Sequence, residues 1–566
     1  MTRYIILLLL IGLLACSSEK KAETGSSSDS PKEKDPSEAN GGRFYGGLLQ
    51  LNESDFILTL FPPDITDPAS ARISTQVYEG LFCYGVDDLK LKNSLAESYT
   101  TDNTGKIYTF NIKKGIYFHD DACFPNGKGR EFTAEDAAYC LKNLTSTEGN
   151  HINRTYFSGL IKNNNIDAIK VIDKYVLQIT LEYPSNEFVY LLAEPFAGIY
   201  PKEAVEKYGK GLETKAVGTG PFRLVVCEED ISIILKKNPN YHGHDLHGNR
   251  LPFLDAIDIK FIKDKNKELE EFLKGNLDLV YRLPTDHIIE IQDDAENGKN
   301  GEYSHFVFQK TPEMLTRILG FNTQHSVLSD PNVRKAISFA INRENILDFV
   351  LQGEGYAAGL YGLIPPVFPR YDSKKIKGTL YSKDSVAFYL NKSSYSKGKK
   401  IPPLPLSFVS EGGRNTLVAN EIKKQLFDNL GLEITLQPLS PSAFQELLVS
   451  GKNVLFLQGI VPVNPAPGGF LYGFSSFCAP FPNISNYKNP FYDRLVQQAL
   501  DAEDIDNEAA FLQQADQLLV KDSPFAVLWY DEGLRLLQPH IINMPNNALQ
   551  YRNYAEVFIE KTQRLN

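Results

Sequence analysis

The sequence predicts an α/β protein built of several lobes, and three observations carry that reading. The chain has 566 residues, enough at about 100 to 200 residues per domain for three to five lobes with cores of their own. Apolar residues make up 42% and charged residues 23%, an ordinary globular composition that excludes a disordered or collagen-like chain. From Tyr45 onward short alternating strands interleave with amphipathic helices. No segment repeats at a period of about 20 to 50 residues, so a solenoid or propeller is not indicated.

The strands read by their period of two. Tyr108, Phe110 and Ile112 share one face, as do Leu177, Ile179 and Leu181, and then Ile257, Ile259 and Phe261. The helices read by their caps. Thr133 with Asp136 forms a capping box ahead of Ala137, Cys140, Leu141 and Leu144. Asp330-Pro331 supplies an N-cap and an N1 proline for a stripe of Val333, Ile337 and Ala340. Asn342 caps a further helix carrying Ile346, Leu347 and Val350 and closed by Gly353. A helix over 418–429 stops at Gly431 and leads into a strand with Leu432, Ile434 and Leu436 on one face. A last helix over 509–520 precedes a strand over 525–530. Breaks at 209–220, 242–252, 293–301 and 393–405 are expected surface loops or lobe junctions.

The amino terminus reads separately. Arg3 precedes a run of twelve apolar residues, Tyr4 to Ala15, which as a helix covers about 18 Å against the roughly 30 Å of a bilayer core. Residues 1–15 are therefore expected to be a signal peptide. Leu13-Leu14-Ala15-Cys16 resembles the bacterial lipobox, with Cys16 as the lipidated mature terminus. Several acyl chains meet the need for more than one lipid in stable anchoring. Ser17 to Gly42 contains no Leu, Ile, Val or aromatic residue, so 16–42 is expected to be a flexible tether reaching about 30 Å.

The residue inventory excludes several functions. Net charge is −11 with the charges dispersed, which offers no broad basic surface for a nucleic acid. The chain lacks GxxxxGK[ST], HExxH, GxSxG and CxxC. Gly353 to Gly359 has one residue too many for a dinucleotide loop and follows a helix. The five cysteines after Cys16 are Cys83, Cys123, Cys140, Cys227 and Cys478; their spacing fits no zinc site or disulfide framework, though one or two bridges are permitted outside the cytoplasm. His242, His244 and His247 are weak metal-ligand candidates, set against a polar hairpin with its imidazoles in solvent.

Several stretches, read in order, resemble one family. They are Asp67-Pro68, Gln76 to Leu81 (QVYEGL), Leu95 to Ser98 (LAES), Tyr108 to Phe110, Phe118-His119-Asp120, Phe132 to Asp136 (FTAED), Val217 to Phe222 (VGTGPF), Phe321-Asn322-Thr323, Val333 to Ile337 and Ala340 to Glu344. In that order they are similar to the extracellular solute-binding proteins, family 5, of peptide and nickel ABC importers. The resemblance implies a type II periplasmic-binding fold, with two hinged ligand lobes and an inserted third. Lobe I would take 43–72, 217–310 and 530–566, the inserted lobe II 73–216, and lobe III 311–529.

What the resemblance implies of function is capture without catalysis. A monomer on the periplasmic or extracytoplasmic face, touching the membrane through its lipid only, would close on a peptide or peptide-like small solute and deliver it to an ABC permease complex. No cofactor is implied. The expected ligand-binding residues are Ala71, Arg72 and Ile73 after the DP motif, then Gln458, Gly459, Ile460 and Val461, and Trp529 with Tyr530. Arg72 is a candidate for a ligand carboxylate. Ile460 stands where peptide binders of the family carry the Asp that holds the α-ammonium. Alternatives of the same scaffold are a metal-chelate or haem carrier, favoured only by the histidine loop, and a ligand-sensing surface lipoprotein.

Overall fold

The computed structural model describes residues 37–560 apart from 55, 150, 162–167, 186, 230, 298–300, 411–412, 463 and 503–504. The signal peptide, Cys16 and the tether up to residue 36 lie outside the described residues. No helix among those described is long and apolar enough to cross a membrane.

Three larger sheets organise the chain. The first has four strands in the order Phe222–Glu228, Ser232–Lys237, Ala256–Lys260, Leu48–Asn52, with only the last pair parallel. The second is antiparallel, in the order Ala96–Thr101, Ile107–Ile112, Val176–Thr180, Ile169–Asp173. The strand faces expected around Phe110, Ile179 and Ile257 are buried as the period of two requires. These two sheets share one apolar core, in which Leu49 and Ile257 join Phe110 and Leu177. The helix Ala134–Thr145 packs on the second sheet, and its capping box is present, with the Thr133 amide donating to Asp136 Oδ2 at 2.9 Å.

The third sheet has seven strands, with Leu279–Tyr281, Phe525–Leu537, Val307–Phe321, Leu455–Ile460, Leu404–Val409 and Ile434–Leu439 in that order, and Ala357–Ala358 paired onto Phe525–Leu537. Separate cores cover its two faces. Leu319, Leu406 and Leu528 pack against Val333, Ile337 and Ile422 on one side, and Ile318, Phe456 and Tyr530 pack against Phe470, Leu512 and Ala515 on the other.

Two of these strands are unusually long. Val307–Phe321 has 15 residues and Phe525–Leu537 has 13, well beyond the expected end at 530. Their far ends leave the two cores just described and enter a third, where Leu534 and Leu536 meet Leu269, Phe272 and Val280. Midway their register breaks: Pro312 pairs with Glu532 and Thr316 with Tyr530, so three residues on one strand oppose Asp531 alone. The expected lobe junctions at 310/311 and 529/530 fall beside this break. At such a break the ladder is interrupted, and the strand bends and twists more strongly.

Several expectations are corrected. The tether was expected to run to residue 42, but Glu38–Ala39 and Arg43–Phe44 pair as a hairpin. Gly41 and Gly42 supply its turn at φ +76° and +69°, and polar contacts join the packing of Ala39 and Phe44 on Phe253 and Phe558 in holding it. The Asn40 amide donates to Asn249 Oδ1 at 2.8 Å, Asn249 Nδ2 returns a bond to the Asn40 carbonyl, and Arg43 pairs with Asp245 at 3.3 Å. All five described cysteines are unpaired. The Asn342-capped helix continues as a π-turn over Ile346–Val350, the helix expected from 418 begins at Arg414, and the expected break at 293–301 is helical as far as Asn297.

Candidate functional site

The motif segments serve the scaffold. QVYEGL, FHD and VGTGPF, far apart in sequence, converge in one place. Thr219 Oγ1 donates to Glu79 Oε2 at 2.8 Å, the Gly218 carbonyl accepts from the His119 amide at 2.8 Å, and His119 Nε2 lies 2.9 Å from the Gly220 carbonyl oxygen. Burial pushes the His119 pKa down to about 4, so its ring is neutral. Gly218 and Gly220 allow the strand to pass against the end of the helix Pro68–Val77, because a Cβ at 218 would fall 2.1 Å from the Val77 carbonyl oxygen. Asp67 caps that helix through the Ser70 amide, 2.8 Å. Arg334 and Arg343 are capped by backbone carbonyls, of Ser523 at 2.8 Å and of Val527 at 2.6 Å.

Charge chemistry collects instead at the register break. Asp531 accepts from Arg317 Nε at 2.8 Å and from Arg414 Nη2 at 2.9 Å, pairs with Arg282 at 3.2 Å, and lies 3.2 Å from the Trp529 indole nitrogen. Glu313 takes a bond from Arg282 at 2.6 Å and one from the Tyr281 hydroxyl at 2.6 Å, and Glu354 pairs with Arg414 at 3.2 Å. Burial alone would raise the Asp531 pKa, but Arg282, Arg414 and Arg317 outweigh it and hold the carboxyl well below its usual range. For Glu354 burial wins over Arg414 and Arg282, and its pKa rises. Burial, with Arg282 and Arg414 alongside, lowers that of Arg317 despite Asp531.

The layering of this cluster is asymmetric. The carboxylates lie behind, with side chains 0% (Asp531), 1% (Glu354) and 2% (Glu313) exposed. The arginines stand in front, at 17% (Arg282), 22% (Arg317) and 12% (Arg414). Arg317 pairs in register with Gly459, and a Cβ on that glycine would come within 3.2 Å of Arg317 Nη1. The expected residues Gln458, Gly459 and Ile460 are half-buried along this edge and Val461 is exposed.

The other expected residues fall elsewhere. Arg72 forks onto Glu53, with Nε to Oε1 at 2.7 Å, so its carboxylate-binding edge is already occupied. Ala71 is half-buried on the same helix, and Ile73 turns inward at 1% exposure because the helical period places it on the core face. Trp529 is 2% exposed, under the Arg414 guanidinium at 5.2 Å from its ring centroid, and so braces the cluster from behind. Tyr530 alternates to the opposite face of its strand, is fully buried, and donates to the Gly362 carbonyl at 2.7 Å. The three imidazoles diverge: His242 Nε2 lies 3.0 Å from Glu79, His244 Nδ1 sits near the His242 carbonyl, and the His247 ring stands over Gly41. No metal-holding group of His, Cys, Asp or Glu occurs among the described residues.

A groove with about 460 Å³ of empty space separates the segments around 156–191 and 464–500, lined by Tyr156, Tyr183, Glu187, Asn464 and Tyr472 among others. Burial, with the charge of Glu508 adding to it, raises the Glu187 pKa to about 7.

A match to the bacterial extracellular solute-binding proteins, family 5 (middle region), covers residues 90–479. The chain belongs to this family. By structure it resembles the periplasmic binding protein DppA from Helicobacter pylori, solved with the peptide STSA, at a TM-score of 0.82 and 22% identity over 92% of this chain and 99% of the other. The Escherichia coli murein tripeptide binding protein MppA follows at 0.78 and 20%, over 92% and 100%. The fold is therefore the type II periplasmic-binding fold of this family. By sequence the chain is 32% identical over 311 residues to the glutathione-binding protein GsiB of Salmonella paratyphi A, 54% of each chain. It thus spans about half the length of the curated relatives it matches.

Sequence reasoning missed Arg282, Glu313, Arg317, Glu354, Arg414 and Asp531. A signal was present: FAVLWYDEGLRLL places charges inside a strand that is otherwise apolar, and TPEMLTRILGF places an arginine in another. Buried charges need partners, and these two strands are each other's neighbours.

Proposed function

We propose that this family 5 protein captures a peptide or peptide-like solute and hands it to an ABC permease. The observation that carries this reading is the register break shared by the two long strands, faced by Arg282, Arg317 and Arg414, 12 to 22% exposed, and by the segment Gln458 to Val461. With the hinge placed at this break, a ligand touching both lobes would favour the closed state by its differential affinity. Leu404–Val409 pairs with the strand Leu455–Ile460 only at Leu455 and Phe456, so an extended ligand would take its main-chain hydrogen bonds from the side of Gln458 to Ile460 that faces away from Val307–Phe321. The lobes would be 43–72 with 217–310 and 530–566, the insertion 73–216, and 311–529. Cys16 would carry the lipid that keeps the protein on the extracytoplasmic face of a membrane.

One experiment tests both parts. Native mass spectrometry of protein extracted from membranes should show a polypeptide beginning at Cys16 with added acyl chains, and a bound species of peptide-like mass released on activation. An unacylated terminus would refute the anchor. A bare protein that binds nothing from a mixed peptide library would refute the function.

A further inference from the structure

The cluster at the register break is not electrically neutral toward its surroundings. Two more buried arginines adjoin it. The Arg552 guanidinium lies 4.9 Å from the Tyr281 ring centroid, on which Arg282 also stacks at 5.2 Å. Arg535 is held by Gln309 Oε1 at 2.6 Å and by the Pro545 carbonyl. Neither has an ion pair with a carboxylate among the described residues. With the Arg72–Glu53 pair included, arginines 72, 282, 317, 414, 535 and 552 are set against carboxylates 53, 313, 354 and 531. With Glu532, the strand partner of Pro312, counted as well, six arginines face five carboxylates, a local excess of positive charge in a chain whose net charge is −11.

Donors are also left over. Arg317 bonds only through Nε, so its two Nη nitrogens find no acceptor among the described residues. Arg282 Nη1 and Arg552 Nε are buried without a hydrogen bond. The Arg317 side chain is 22% exposed, so its open N–H groups are offered to an incoming carboxylate matched to the guanidinium fork. An incoming ammonium meets the reverse situation. The three carboxylates nearest Arg317, those of Asp531, Glu354 and Glu313, each pair with an arginine and are at most 2% exposed, and the neighbouring strand offers Ile460 and no acid.

Resting on the proposed role as a solute binder, we infer that the captured solute is an anion carrying more carboxylates than amines, one carboxylate seated on the open edge of Arg317. Arg282 and Arg414 hold Asp531 behind it, and Asp531 in turn fixes Arg317 through Nε, so Arg317 is presented as a fixed fork.

Isothermal titration of the whole protein with four probes tests this: N-acetyl-Ala-Glu-Ala as the free acid, N-acetyl-Ala-Gln-Ala amide, Ala-Lys-Ala amide, and succinate. The acid peptide should bind at least tenfold more tightly than the neutral one, and the cationic one should give no heat. Arg317→Gln should remove most of that preference, and Arg317→Lys should keep part of it by retaining charge without the fork. Neutral or cationic peptide binding as tight as the acid overturns the charge inference while leaving peptide capture standing. Succinate binding without any peptide binding supports the anion site and overturns peptide capture. No heat from either acid probe overturns the anion site. If the Arg317 variants do not fold, the comparison among the four probes on the unaltered protein still decides the charge of the solute.

Discussion

At Asp531 three guanidiniums share one carboxylate, and that sharing sets the local energetics. The substitution Asp531→Asn leaves Arg282, Arg317 and Arg414 facing one another without their common anion. Breaking a buried pair in this way costs about 3 to 5 kcal/mol, so the variant should unfold at markedly lower denaturant, and an unchanged midpoint would remove the cluster from the stability account. The pH dependence follows in sign. A carboxylate whose folded pKa is depressed stabilises the protein at pH values above its unfolded pKa, near 3.9. That contribution is lost as pH falls through the lower folded value, so it is intact at neutral pH and absent from the variant. The sequence pointed to Trp529 and Tyr530 and stopped one residue short. A single chain shows that Asp531 is a charge in an apolar strand, but its partners come from segments near 282, 317 and 414, and only the fold brings them together.

The elements divide into those legible from local pattern and those made by long-range contact. Caps at Asp67, Thr133, Asp330 and Asn342 appear as their side chains demand, because capping is chemistry between residues two or three apart. The first strand and turn of the hairpin, up to residue 42, were read as tether, since their anchorage is to the 245–249 loop and a small residue, Ala39, is the one apolar side chain between Glu38 and Gly42. The VGTGPF glycines belong to the same long-range class. Gly218→Ala would press a methyl group onto the Val77 carbonyl oxygen, a backbone atom with little room to yield. Overpacking of this kind costs about 1 to 3 kcal/mol, so the melting temperature should fall while solute affinity in the folded fraction stays the same. A variant as stable as the parent would show that the helix and strand can separate freely.

Across the whole molecule, a negatively charged chain encloses an arginine-rich seam where two strands cross between apolar cores. The general fold was legible because strand and helix periods are local and the family segments occur in order. The site was not, because its polar groups lie at a break in the ladder that no periodicity announces. Charge placement also gives the molecule its selectivity: bulk net charge repels anions at long range, whereas the desolvated arginines reward them at contact. Closure would bring the two effects into one cycle of capture and release. The measurement that bears most directly on this account is a crystal structure of the protein purified with its cargo. The account predicts solute density at the register break, with a carboxylate within hydrogen-bonding distance of Arg317 and main-chain contacts along Gln458 to Val461. Solute found only in the groove between Tyr156 and Tyr472, with Arg317 untouched, would contradict it.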